Sequence, residues 1–162
     1  MQVAGWVKKE WDETTPSRRP SEIIVDVIGI GAGVVDRLAE LGLPVRGINV
    51  SETASTNPER YLNMRSELWF KGRDWFTAKD CNLCKDGALS GELGALRFGY
   101  TSNGKIKVES KDDMKKRGVP SPNRADAFLL TLASEAVSLS GESRTSHHSW
   151  KEPMRRKIAG IV

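Results

Sequence analysis

Two aspartates far apart in the chain occupy positions suited to holding a metal ion. Asp26 lies in the apolar run Ile23-Ile24-Val25-Asp26-Val27-Ile28, which leads into Gly29-Ile30-Gly31-Ala32-Gly33. Asp126 lies in Ser121-Pro122-Asn123-Arg124-Ala125-Asp126-Ala127-Phe128. The first pattern predicts a carboxylate within a buried strand, just before a glycine turn. The second predicts one in the early turns of a late helix. A carboxylate in apolar surroundings is costly unless it is paired or holds a cation. Two brought together repel, and a divalent ion is the usual remedy. The chemistry such a pair serves is metal-assisted phosphodiester hydrolysis, where carboxylates converge on ions that help form hydroxide and stabilise the leaving oxygen. The structural alternative is that Asp126 compensates a helix N-terminus and Asp26 pairs with a lysine or arginine.

The elements that must position these residues follow from periodicity. Residues 2–12 read as a short helix with Val3, Trp6, Val7 and Trp11 on one side. Residues 14–20 read as a loop. The run from Ile23 to Ile28 is apolar on both faces apart from Asp26, as in a buried parallel strand. Val34, Val35, Leu38, Ala39 and Leu41 recur at helical spacing, and Gly42 stands where a helix C-cap belongs. Val45 to Val50 reads as a second strand, completing a β-α-β unit.

Asn57-Pro58 is expected to open a longer helix, with Tyr61, Leu62, Leu68, Trp69, Trp75 and Phe76 forming a core stripe. The stretches from Glu92 to Tyr100 and from Lys105 to Val108 flank Ser102-Asn103-Gly104, a hairpin signal. Lys111 to Arg117 reads as a short basic helix. Ser121 is expected to cap the last helix, with Pro122 at its first position. That helix carries Ala125, Phe128, Leu129, Leu132, Ala133, Ala136 and Val137. After Ser140 the chain turns polar.

The chain has 162 residues, 38% hydrophobic and 28% charged, which fits one globular domain. It lacks an apolar run long enough for a membrane span and a recognisable signal peptide, so a cytoplasmic location is expected. The net charge of +4 and pI near 9.2 permit a polyanionic partner. Lys111, Lys115, Lys116, Arg117 and Arg124 cluster ahead of Asp126. Lys151, Arg155, Arg156 and Lys157 cluster near the end. Cys81 and Cys84 form a lone Cys-x-x-Cys with no second pair to complete a zinc site, and His147 and His148 lie in the polar tail. Incidental thiols are expected.

The glycine turn also admits a dinucleotide-binding reading. Gly29-x-Gly31 follows a strand and opens a helix, and Glu52 lies beyond the second strand. The third glycine falls at position 33 rather than 34, and a charge at Asp26 has no use in such a fold.

Four segments taken together resemble the nuclease domain of the large subunit of tailed-phage terminases. They are Val25-Asp26-Val27-Ile28-Gly29-Ile30-Gly31-Ala32-Gly33-Val34-Val35-Asp36-Arg37-Leu38; Tyr61-Leu62-Asn63-Met64-Arg65-Ser66-Glu67-Leu68-Trp69; Glu109 through Arg117; and Ser121 through Ala127. The resemblance runs from about residue 20 to 135. It implies an α/β, ribonuclease-H-like mixed sheet flanked by helices that cuts concatemeric viral DNA during packaging, with Mg²⁺ or Mn²⁺. Three acidic residues hold the metals in that family. Asp26 matches the second and Asp126 the third. The opening strand that carries the first has no counterpart here, nor has the ATPase phosphate loop. The resemblance therefore implies an N-terminally incomplete domain lacking the opening strands, spanning residues 1–140, with a basic tail at 141–162.

On this reading Asp26 and Asp126 are the catalytic and metal-binding residues in the cytoplasm of a bacterial host. Lys111, Lys115, Lys116, Arg117 and Arg124 contact the backbone of double-stranded DNA. Asp112 or Asp113 could replace the missing acid, although surface positions on a basic helix suit them better. Asp36 reads as a surface residue, and Arg65 and Glu67 as a structural pair. The implied partners are DNA, the terminase small subunit and the portal, without a membrane, and exposed strand edges invite homo-oligomers. The alternative within the same resemblance is a non-catalytic remnant with weak, salt-sensitive DNA affinity.

Overall fold

A computed structural model describes residues 2–79, 81, 83 and 85–133. The expected helical positions Ala136 and Val137, the basic tail at 141–162, Cys84 and both histidines lie outside the described residues.

The β-α-β unit forms as its periodicity predicts. Strand β1 (Ile23–Asp26) pairs in parallel with β2 (Val45–Ile48), in the register Ile23↔Val45 through Asp26↔Ile48. Helix α2 (Gly31–Glu40) connects them, and Gly42, at φ +73°, takes the left-handed conformation that closes it. Side chains alternate across a strand. Ile23, Val25 and Val45 face α1 (Gln2–Glu13) and α2, packing around Ala4, Val34, Leu38 and Leu43. Ile24 and Ile48 face the opposite way, into a larger core. The strand pair is thus the middle layer between helices. On α1 the inward stripe is Ala4, Val7 and Trp11, while Val3 and Trp6 are exposed. The expected stripe was right for Val7 and Trp11 and wrong for the other two. The small Ala4 lets α1 approach α2, which turns its neighbours outward.

The larger core is built by α3 (Met64–Thr77), α4 (Gly87–Ala95), α6 (Asn123–Leu130) and the hairpin of β3 (Phe98–Tyr100) with β4 (Ile106–Val108). The hairpin pairs Phe98↔Val108 and Tyr100↔Ile106, with Gly104 at φ +75° in its turn. Among the described residues the strands form two separate two-stranded sheets, one parallel and one antiparallel, rather than one continuous mixed sheet. The first described strand is preceded only by α1 and a single 3-10 turn.

Three element boundaries differ from the sequence expectations. Asn57-Pro58 opens a turn, and α3 begins only at Met64. The intervening backbone pairs with β4, Leu62 N donating to Ile106 O at 2.9 Å and Ile106 N to Arg60 O at 2.8 Å. Asn63 then caps the helix by accepting from Ser66 N at 3.0 Å. The stretch from Glu92 is the end of helix α4 and not the start of a strand. Asp86 caps α4 by accepting from Ala88 N at 2.9 Å and Leu89 N at 3.0 Å. At α6, Ser121 makes no capping bond and Pro122 takes the cap position. The free N–H of Ala125 is taken instead by Glu92, whose Oε2 accepts from it at 2.9 Å, beside Asp126 in the same first turn.

Glu67 is 1% exposed, and its carboxylate anchors the loop that follows β2. It accepts from Ser55 N at 2.6 Å and Thr56 N at 3.0 Å, with the Lys71 ammonium 3.3 Å away. Burial pushes its pKa up, but the Thr56 and Ser55 donors and Lys71 outweigh this and hold it below the usual glutamate range. A depressed folded value contributes stability that is present above the unfolded pKa and lost as pH falls through the folded one. Glu67→Gln is therefore expected to be less stable by about 1.5–3 kcal/mol at neutral pH. Urea titrations from pH 7 down to 3 should show the gap between the two proteins narrowing with acid. A gap that stays constant would rule out this role for the charge.

Candidate active site

Asp26 is the last residue of β1, one position past Val25, which faces α2. Strand alternation puts it on the Ile24 face, towards the core that holds α6. It is half-buried rather than buried, because the strand ends here instead of continuing to Ile28. Its Oδ1 accepts from Ile28 N at 3.1 Å, turning the chain locally. Among the described residues it makes no ion pair. Gly31 is required by packing, since a Cβ there would fall on the Asp26 backbone carbonyl. Gly29 is required by φ +69°. Both glycines thus serve the tight passage from β1 into α2.

Asp126 lies in the first turn of α6 and is held far more firmly. Its Oδ1 accepts from Trp69 Nε1 at 3.1 Å and from Arg65 Nε at 3.3 Å. Its Oδ2 lies 3.2 Å from Lys111 Nζ, yet that atom is buried and has no partner in hydrogen-bonding geometry. Arg65 also donates from Nη1 to Glu109 O at 2.7 Å, while its Nη2 is buried without a partner. The expected Arg65–Glu67 pair does not form. The two side chains point to different sides of α3, Arg65 to Asp126 and Glu67 to the 55–56 loop.

Asp26 and Asp126 reach the same end of the parallel strands. Asp26 is in register with Ile48, Arg65 N donates to Val50 O at 2.9 Å just beyond β2, and Arg65 binds Asp126. Helix α6 also packs against β1. No bond joins the two carboxylates, and among the described residues no group of three or more acidic, histidine or cysteine side chains gathers to hold a metal. Asp26 and Asp126 supply oxygen donors of the kind a hard divalent cation takes, and Lys111 would have to leave Oδ2 for one to bind there. The two aspartates do not furnish the larger carboxylate set of a two-ion site.

The basic residues are unequal. Lys111 and Lys116 lie on α5 (Lys111–Lys116), paired with Asp126 and Asp113. The Ser110 hydroxyl and Lys116 keep the Asp113 carboxyl below its usual range, so Asp113 is used in the helix cap. Asp112 and Asp36 are exposed, as expected of surface residues. Lys115 is exposed, with no ion pair among the described residues. Arg124 binds Asp86 at 2.8 Å. Arg117 grips both oxygens of Glu109 at 2.7 Å and also Ala95 O at 2.9 Å. This guanidinium keeps the Glu109 carboxyl below its usual range. Trp69 and Lys111 as partners of Asp126 were missed as a site by sequence reasoning. The signal was available only as helical spacing, since Arg65 and Trp69 are four apart and share a face of α3.

No protein-family model matches the chain. In sequence it is similar to a protein named as a probable terminase large subunit from Enterobacteria phage P7, with 27% identity over 134 residues. The match covers 80% of this chain and 27% of that protein, so the chain spans about a quarter of the length of the relative. Among solved structures it is similar to the nuclease domain of the large terminase subunit gp2 of bacterial virus Sf6, with TM-score 0.65 and 20% identity over 81% of this chain and 71% of that one. A point mutant of the same domain with manganese and β-thujaplicinol gives TM-score 0.66 and 19% identity over 82% and 72%. Another structure of that mutant domain contains calcium. The fold is therefore α/β and ribonuclease-H-like. Within that class it is the fold of a terminase large-subunit nuclease domain, and the resemblance carried by the four sequence segments holds.

Trp69→Phe keeps a ring in place and removes the donor to Asp126. The expected cost is about 1.5–3 kcal/mol, the usual range for a bond to a charged group. It should shrink in an Asp126→Asn background when both are measured by chemical denaturation. Strictly additive costs would mean that this bond contributes nothing.

Proposed function

We propose that the chain is the nuclease portion of a phage DNA-packaging terminase, hydrolysing double-stranded DNA with a divalent metal. The observation that carries this reading is the Asp126 carboxylate, fixed at Oδ1 by Trp69 and Arg65, with the buried Oδ2 met only by the Lys111 ammonium at 3.2 Å. The sequence likeness to a terminase large subunit supports it, as does manganese in a domain of the same fold.

Asp26 and Asp126 are the residues that would hold Mg²⁺ or Mn²⁺. Bound there, such an ion supplies Lewis acidity towards a phosphodiester and lowers the pKa of water. Arg65 and Trp69 hold Asp126 in a fixed orientation, so little reorganisation is needed when charge develops. Lys111 neutralises Asp126 when no metal is bound. Lys111, Lys115, Lys116 and Arg124 present positive charge for phosphate contacts. Arg117, engaged by Glu109, adds to the field and holds α5 in place. DNA is the proposed partner. The small subunit and the portal belong to the same packaging role, and a homo-oligomer through the exposed edges of the β1–β2 pair belongs to the same proposal. The domain is proposed to span residues 1–140, followed by the tail at 141–162.

A second reading rests on the carboxylate count. With no third acid gathered at the site among the described residues, the domain could bind DNA without cutting it, through phosphate contacts that weaken with salt. Plasmid nicking with Mn²⁺ at low salt separates the two readings. Cleavage is expected, falling at least about a hundredfold in Asp26→Ala and in Asp126→Ala, the range for losing an electrostatic catalytic group. A folded protein that binds plasmid but never cuts it, at any metal concentration, would leave only the binding role.

A further inference from the structure

The β3–β4 hairpin carries an aromatic and basic surface that extends outward from the core and that the Asp126 site does not use. Phe98 is 54% exposed and Tyr100 70% exposed, although both stand on the same face of the hairpin as the buried Ile106 and Val108. They are exposed because β3 is the outer strand. No other strand pairs with its free edge among the described residues. The two rings belong to a continuous series. Tyr100 meets Phe98 at 6.2 Å, Phe98 meets Phe70 edge-on at 5.1 Å, and Phe70 meets Tyr61 at 5.5 Å.

Cations accompany this series. The Arg73 guanidinium lies 4.4 Å from the Phe70 ring centre, and that of Arg60 lies 5.2 Å from the Tyr61 ring centre. On the opposite face of the hairpin, Lys107 stands across from Gly99 and is exposed, as is Arg97 at the start of the strand. Between Phe98 and Tyr100, Gly99 leaves open space where a side chain would stand. Exposed rings at an open edge, with the exposed cations Arg97 and Lys107 nearby, match what a flexible polyanion bearing flat apolar rings requires. A base stacks on an aromatic face whatever its sequence, and the adjoining phosphates meet Lys and Arg.

We infer that the free edge of β3, through Tyr100 and Phe98 with Arg97 and Lys107, binds single-stranded nucleic acid by stacking unpaired bases. A duplex keeps its bases inside and offers this surface only phosphates, so the site prefers strands that are frayed or unpaired. This site is separate from Asp126 and needs no metal.

The test is fluorescence anisotropy of the full chain with a labelled 20-mer of oligo-dT, in EDTA at low salt, so that the result does not depend on the nuclease reading. Tyr100→Ala is expected to weaken binding about fivefold or more, the usual loss for one stacked base. Tyr100→Phe should restore it, and Lys107→Ala should weaken it further and flatten its salt dependence. Circular dichroism checks that each variant is folded, which the exposure of Tyr100 favours. The inference is overturned if Tyr100→Ala binds oligo-dT as well as the parent does. It also fails if a duplex of equal charge binds as tightly with the same dependence on Tyr100, or if polyglutamate competes as well, since charge alone would then suffice. A concentration-dependent dimer abolished by Tyr100→Ala in sedimentation would overturn it too, by assigning the edge to a second copy of this chain.

Discussion

Arg65 joins the segments on which the candidate site depends. Its backbone N–H closes the chain beyond β2 through Val50, its Nε reaches Asp126 at the start of α6, and its Nη1 holds the Glu109 carbonyl at the end of β4. These segments are distant in sequence, and only a planar, multi-donor side chain can hold them in one fixed arrangement. Removing the guanidinium would leave Asp126 partly buried, with Trp69 and Lys111 as its remaining partners. The orientation of the Asp126 carboxylate therefore depends on the Arg65 guanidinium.

Charged side chains also organise the fold where local backbone signals are weak. Glu67 holds the 55–56 backbone from inside the core, Glu92 takes the Ala125 N–H in the first turn of α6, and Glu109 receives Arg117. Each is a carboxylate answering a donor more than ten residues away, except the Glu109–Arg117 clamp, which closes a short loop. A partly or fully buried carboxylate of this kind is stable only with its donors in place. Such links make the position of α5 and α6 relative to α3 specific rather than merely compact, which a site assembled from three elements requires.

Much of this was legible in the sequence. The β-α-β unit follows from the apolar runs around the glycine turn and from Gly42, and the hairpin from Asn103-Gly104, because periodicity and turn chemistry are local properties. The surface position of Asp36 and the short basic helix at Lys111 followed for the same reason. The start of α3 was misread because Asn57-Pro58 is a good helix opening in isolation, and pairing of residues 60–62 with β4 overrides it. The Ser121 cap failed because Glu92, 33 residues away, takes its place. Asp86-Gly87 did carry a legible cap for α4, obscured by the glycines that follow. Of the two aspartates picked from their settings, Asp126 is held by a network of donors, whereas Asp26 is half-buried at the strand end. The partners of Asp126 were not legible, since Trp69 and Lys111 come into range only through tertiary packing.

The two surfaces of this domain divide along the same physical line. At Asp126, charge is enclosed: Trp69 and Arg65 bind one oxygen, and the Lys111 ammonium stands 3.2 Å from the other. Enclosure raises the strength of every electrostatic contact and suits a compact ion or a developing charge. On the β3 edge the order is reversed. Rings are open to water and cations stand around them, which suits a long, flexible ligand whose binding is spread over many weak contacts. Both are anchored on α3, with Arg65 and Trp69 on one side of the helix and Phe70 and Arg73 on another. A single helix thus offers an enclosed polar face to α6 and an aromatic face to the hairpin. A strand lying along the hairpin and a phosphate held near Asp126 would therefore be referred to the same rigid element, and the spacing between them would be set by α3 rather than by any loop.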